Sequence, residues 1–166
     1  VYKRQGDTVR FTSLNPYRIK VTGRTKHHIN VFGEELMVEN TDKAISKACR
    51  ETNSEVIDYT VAPIFMKGRE KGAHEWMIEF RRKPENIELF RKKLDEALQS
   101  VNSDYEAKRY NNMTLNPLVL NVARTNLFYD WLKEQDKLGG QHKIPRLSNS
   151  REYLDRLKAL QYIQID

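Results

Sequence analysis

The chain has 166 residues, is 39% hydrophobic and 31% charged, and carries a formal net charge of +6 with a pI near 9.4. This is enough apolar material for one domain with a real core and excludes a disordered chain; the positive balance favours anionic partners (nucleotides, nucleic acids or membrane surfaces) without choosing among them. Cys49 is the only cysteine, which excludes an internal disulfide and suits a reducing cytoplasm. No apolar run approaches membrane-spanning length, so no membrane partner is expected, and the first residues do not read as a signal peptide.

Val1 to Gln5 lack the alternation that follows and are read as non-native, with a preceding portion of the protein expected to be missing. Two period-two runs come next, Thr8–Thr12 and Tyr17–Thr22, joined by a turn at Leu14-Asn15-Pro16. A third extended run ends at Gly33-Glu34-Glu35. Residues 1–30 carry seven Lys or Arg against one acid, Asp7. A helix is expected over residues 40–53, capped by Asn40 or Thr41, with Ala44, Ile45, Ala48 and Cys49 on its apolar stripe. Residues 55–65 alternate as a strand, residues 67–72 read as a charged hairpin tip, and His74–Phe80 returns with Trp76, Ile78 and Phe80 on one face and Met77 on the other.

Pro84 is expected to open the next helix, where Ile87, Phe90, Leu94, Ala97, Leu98 and Val101 recur at helical steps. Ser103-Asp104-Tyr105-Glu106 has the form of a capping box for a short helix through Arg109, terminated by Asn111-Asn112. Leu118–Val122 is a short apolar strand, and residues 126–138 form a helix closed by Gly139-Gly140. A final helix follows the polar segment Gln141–Arg146, capped by Asn149 and Glu152, with Leu154, Leu157 and Leu160 inward. The order defines an α+β fold, an antiparallel sheet covered by helices on one face.

The four histidines (27, 28, 74 and 142) are scattered without ligand spacing, so no metal site of the chain's own is expected. No nucleophile motif is present, and Cys49 lies on a core stripe. A carboxylate such as Asp7 at a strand start can accept hydrogen bonds from a ribose diol, and Arg24 can offer a planar fork to ribose or phosphate. Spacing by itself favours the plainer reading, in which Asp7 caps a turn and Arg24 is solvated. Lys143, between Gly139-Gly140 and Pro145, stands where a loop can deliver charge to a phosphate or carboxylate, as Arg146 can; most such lysines are merely solvated.

Gly6-Asp7 before a strand, then Gly23, Arg24, Ile29 and Gly33 in the spacing Gly-Arg-x-x-x-x-Ile-x-x-x-Gly, resembles the tail of the adenylate-forming superfamily. Leu36–Ala48, Asn102–Arg109 and Gln141–Arg146 with Ser148 and Ser150 are similar to the auxin-responsive promoter (Gretchen Hagen) family of acyl-acid amido synthetases. The resemblance runs from Gly6 to the end. It departs at Lys26 and His27, where many superfamily members have an acidic hinge residue, and at Asn30, which replaces a lysine.

The resemblance implies that residues 1–24 are the tail of a large N-terminal adenylation domain and its hinge. Residues 25–166 would then be a small mobile C-terminal lid. It implies ATP and Mg²⁺ as cofactors, bound mainly by the N-terminal domain, and an acyl acid and an amino acid as substrates. Asp7 would contact the ribose hydroxyls, Arg24 the ribose or phosphate at the hinge, and Lys143 would be the lysine that the closed lid supplies for adenylation. The fragment alone is expected to be inactive. Acceptors in related adenylate-forming enzymes include thiols.

The rival expectation is a basic α+β module that binds RNA, resting on residues 1–30 with Phe11, Tyr17 and Trp76. No stretch matches the aromatic RNA-recognition pattern, and these aromatics fall mostly on expected core faces. A third is a lid or dimerisation piece without activity.

Overall fold

The computed structural model describes residues 7–24, 28–68, 70–112, 114–135 and 144–162, with Asp7, Thr8, residues 21–24 and Asn112 described by backbone alone. The chain opens with an antiparallel hairpin, β1 (Asp7–Leu14) and β2 (Tyr17–Arg24), which is a sheet of its own. A linker holds two short paired strands, β3 (His28–Ile29) and β4 (Leu36–Met37). Then come α1 (Val38–Glu51), β5 (Glu55–Ile64), β6 (Ala73–Arg82), α2 (Ile87–Val101) and α3 (Ser103–Arg109). A 3₁₀ turn at Tyr110–Asn112, with Asn111 in the left-handed region, leads on to β7 (Val119–Val122), α4 (Leu127–Glu134) and α5 (Glu152–Gln161).

The α+β class is as expected, and the sheet differs from the expectation in two ways. Its order is β5-β6-β7, with β6 antiparallel to β5 but parallel to β7. A short apolar run such as Leu118–Val122 does not reveal its direction. Here α2 and α3 form the crossover that a parallel neighbour requires. Helices also cover both faces. Trp76, Ile78 and Phe80 pack with Ala44, Ile45 and Ala48 of α1 and Phe90, Leu94 and Leu98 of α2. Met77, one residue out of phase and so on the opposite face, packs with Leu127, Phe128 and Trp131 of α4 and Leu154, Leu157 and Leu160 of α5. All eight residues from Ala73 to Phe80 are buried, as a central strand between two layers demands.

The buried His74, Glu75 and Glu79 of β6 find partners from three directions. His74 meets Glu34 of the linker. Glu75 accepts from Arg151 (2.6 Å), Lys158 (2.7 Å) and Asn121 (3.0 Å). Glu79 accepts the Asn126 and Phe128 amides at the start of α4, and so supplies the cap that Asn126, in the left-handed region, does not.

Helix starts also depart from expectation. α1 begins at Val38, and the Asn40 side chain accepts the Met37 amide at 3.0 Å. α2 begins after Asn86, whose side chain accepts the Leu89 amide at 2.9 Å, three residues later than a start at Pro84. The box expected from Ser103 is replaced by Asn102, which accepts the Tyr105 amide at 2.7 Å. α5 has Arg151 at its N-cap with no side-chain cap, because Asn149 is engaged elsewhere. The expected close of α4 at Gly139-Gly140 lies outside the described residues, as do His27 and His142.

Candidate functional site

Asp7 and Arg24 face one another as Cα partners at the open end of the β1–β2 hairpin. The two candidate ribose and phosphate contacts therefore share one cross-strand position, although sixteen residues separate them in between. Nothing in their separate motifs couples them; the hairpin brings their backbones together. The hairpin also corrects the aromatic argument. Phe11 and Tyr17 lie exposed, together with Val9, Leu14 and Ile19, and only Trp76 is in the core. Phe11 and Tyr17 meet edge to face at 5.9 Å, so one face of the hairpin is an apolar surface without cover among the described residues.

From His28 onward the linker is bound to the body. Ile29 and Leu36 are fully buried. The Asn149 side chain donates to the His28 carbonyl and accepts the Asn30 amide, both at 3.0 Å. The Asn102 side chain donates to the carbonyls of Glu34 (3.0 Å) and Glu35 (3.3 Å). Gly33 and Glu35 both have positive φ, so the chain reverses sharply and drives the Glu34 side chain inward. There one Glu34 oxygen lies 2.8 Å from His74 Nε2 and the other accepts the Phe32 amide at 2.7 Å.

Both side chains are fully buried, and the His74 ring stacks on Tyr105 at 5.3 Å. Burial raises the Glu34 pKa, but the hydrogen bond and charge interaction with His74 and the local amides outweigh it, and its carboxyl titrates below the usual 4.5. Phe32 fits against Gly72, where a Cβ would overlap its ring. The period of β6 already places His74 on the Trp76 face, a signal that it is buried rather than at the surface; nothing in the sequence marks Glu34 as its partner.

The second candidate element is the segment that follows Lys143. Lys143 itself lies outside the described residues; its successors are fixed. Ile144 and Leu147 are buried. The Pro145 carbonyl accepts from the Thr60 hydroxyl at 2.7 Å, the Arg146 carbonyl from the Val61 amide at 2.9 Å, and the Ser148 amide donates to the Val61 carbonyl at 3.1 Å. Residues 145–148 thus extend the sheet along the outer edge of β5, with Leu147 bridged to Val61 in parallel. The Arg146 guanidinium donates from Nη1 to both oxygens of Asp42, each at 2.8 Å, and its carbon stands 5.2 Å above the Tyr59 ring. Tyr59 donates its hydroxyl to Asp42 at 2.7 Å. Burial, assisted by Asp42, pushes its phenol above the ordinary range, so it remains a donor.

The remaining carboxylates of the interior are committed to structure. Asp95 takes three contacts from Arg109, the shortest at 2.7 Å, and one from the Tyr105 hydroxyl at 2.6 Å. Among the described residues there is no group of three or more His, Cys, Asp or Glu that could hold a metal ion. No helix among them is long and apolar enough to cross a membrane.

The same fold forms part of larger solved structures. It superposes on a GH3.15 acyl acid amido synthetase with a TM-score of 0.74 at 20% identity, covering 96% of this chain and 31% of that one. It also superposes on an AtGH3.15 acyl acid amido synthetase in complex with 2,4-DB, with a TM-score of 0.71 at 20% identity, covering 96% and 30% respectively. The chain thus spans less than a third of either structure. No curated protein sequence matches it. Residues 39–152, more than half of the chain, match the GH3 family C-terminal domain, and the chain belongs to that family.

Proposed function

We propose that this chain is the C-terminal part of an ATP-dependent acyl-acid amido synthetase, in which residues 25–166 act as a mobile lid and residues 1–24 as the tail of the large domain with its hinge. The observation that carries the reading is the segment 145–148. It is hydrogen-bonded along β5 and anchored by the buried Ile144 just before it and the buried Leu147 within it, so it offers a rigid base from which Lys143 can extend. A lysine delivered from such a base suits a reaction in which negative charge builds on a departing pyrophosphate.

In the first step a carboxylate oxygen of the acyl acid attacks the α-phosphorus of ATP. The α–β phosphoanhydride bond breaks, and pyrophosphate leaves with the electron pair. In the second, an amine nitrogen attacks the acyl carbonyl, AMP leaves, and the nitrogen gives up a proton to form the amide. Lys143 would place its ammonium against the phosphates during the first step. Asp7 would accept hydrogen bonds from the ribose hydroxyls, and Arg24, across the hairpin from it, would contact ribose or phosphate. Mg²⁺ would be held by the nucleotide and by residues of the large domain.

The linker supports the same reading. Glu34, Asn102 and Asn149 join residues 28–37 to the body, so a turn at Gly23-Arg24 would carry everything from His28 onward as one unit. The exposed apolar face of the hairpin would seat on the large domain. The RNA-binding alternative has less support, because helices cover both faces of the three-stranded sheet and leave it only the exposed Phe11 and Tyr17 of the hairpin.

The full-length protein, given ATP, hydroxylamine and a panel of acyl acids, is expected to form a hydroxamate with one AMP per product. A salt-dependent RNA shift with no hydroxamate from any acid would sink this reading in favour of the binding module.

A further inference from the structure

The Asp42–Arg146 pair joins two parts of the chain 104 residues apart, and nothing in the reaction outlined above yet uses it. Asp42 stands in the second turn of α1, the helix that follows directly from the linker. Arg146 stands three residues after Lys143. We infer that Asp42 is a positioning residue for adenylation, orienting the Lys143 segment relative to the linker through its grip on Arg146. This inference rests on the function proposed above.

A partly exposed ion pair is ordinarily worth little, and this one is roughly half exposed on each side. Three features set it apart. Its carboxylate is held by a second donor, the hydroxyl of Tyr59, whose ring is buried and stacked on Trp76 at 5.6 Å. Thr41 Oγ1 lies 2.7 Å from the same phenol oxygen and 2.9 Å from the Val38 carbonyl, so the carboxylate is tied back to the first turn of α1. The guanidinium is fixed twice, by the carboxylate and by the face of the Tyr59 ring, which leaves it little rotational freedom.

The segment's backbone is already held to β5 by three hydrogen bonds and by the burial of Ile144 and Leu147. Leu147 also lies in the same apolar cluster as Ala44, Ile45 and Ala48 of α1, and Asn149 ties the segment to His28 and Asn30 of the linker. The Asp42–Arg146 pair adds to these a directed, charged contact with α1, made by the residue three positions after Lys143. An error of about 1 Å in the placement of a catalytic group costs on the order of a hundredfold in rate. Loosening this tie should therefore slow adenylation while folding and nucleotide affinity stay in place.

The test uses full-length protein, labelled pyrophosphate, ATP and an acid that forms hydroxamate. Asp42→Asn is expected to lower the turnover of ATP–pyrophosphate exchange by about ten- to a hundredfold. KM for ATP should not change, nor the melting temperature, nor the aminolysis of prepared acyl-adenylate. Asp42→Glu should recover part of the rate. Arg146→Lys, which retains charge but not the planar fork, should behave like Asp42→Asn and serves as the second variant if Asp42→Asn folds poorly.

Normal exchange in Asp42→Asn and Arg146→Lys, with exchange abolished in Lys143→Ala, would overturn the inference and leave the proposed function standing. An equal loss in both half-reactions, or a loss that follows melting temperature, would assign the pair to structure alone. Normal exchange in Lys143→Ala would remove the underlying reading itself.

Discussion

The β1–β2 hairpin and the β5-β6-β7 sheet are both built from strands, yet they use their side chains in opposite ways. In β6 eight successive residues are buried, and even the acids Glu75 and Glu79 are enclosed with partners from α4 and α5. In the hairpin Val9, Phe11, Leu14, Tyr17 and Ile19 are all exposed. The same alternating pattern thus marks a finished interior in one place and an uncovered surface in the other. The pattern says which residues share a face; what covers that face depends on segments far away in sequence or in another domain.

The contrast can be broken by mutation. Trp76→Ala removes a fully buried indole from the main core and should destabilise the chain by about 3–5 kcal/mol, read from denaturant titration. A loss under about 1 kcal/mol would mean that the core is not packed as described.

The linker should respond almost as strongly. Glu34→Ala leaves His74 Nε2 and the Phe32 amide without their partner, a cost of about 2–4 kcal/mol. The pH dependence sharpens this. The folded pKa of Glu34 is below its unfolded value near 4.5, so its contribution is fully present above that value and fades as pH falls through the folded one. Glu75 has the same sign: burial raises its pKa, but hydrogen bonds from Lys158, Arg151 and Asn121 lower it further than burial raises it. Stability should therefore decline on the acid side, and less steeply in Glu34→Gln than in the parent. An identical acid profile for the two would show that Glu34 is not linked to folding.

The smallest effect belongs to the hairpin. Phe11→Ser with Tyr17→Ser should change the stability of this chain by no more than about 0.5 kcal/mol, since both rings are already in water. In the full-length protein the same pair should cost more, if the face seats on the large domain. Equal small effects in both contexts would detach the hairpin from that role.

Much of the fold was legible because its signals are local. Trp76, Ile78 and Phe80 announced β6, and Phe90, Leu94 and Leu98 announced α2. The direction of β7 and the second helical layer were not legible, because a four-residue apolar strand looks the same parallel or antiparallel. The caps shifted for a related reason: Asn102 and Asn149 have partners in the linker, 67 to 121 residues away, and no local rule anticipates them. At the candidate site the sequence offered Asp7, Arg24 and Lys143 as residue types in a family pattern. It did not offer the cross-strand pairing of Asp7 with Arg24 or the anchoring of residues 145–148 on β5, both of which arise from strand register.

The account depends most on Lys143. Its direct measurement is ATP–pyrophosphate exchange by the full-length Lys143→Ala protein, beside the aminolysis of prepared acyl-adenylate. The prediction is an exchange rate reduced by about a hundredfold or more with aminolysis preserved. Exchange near the parent rate would contradict the claim that this domain brings its lysine to the adenylation step.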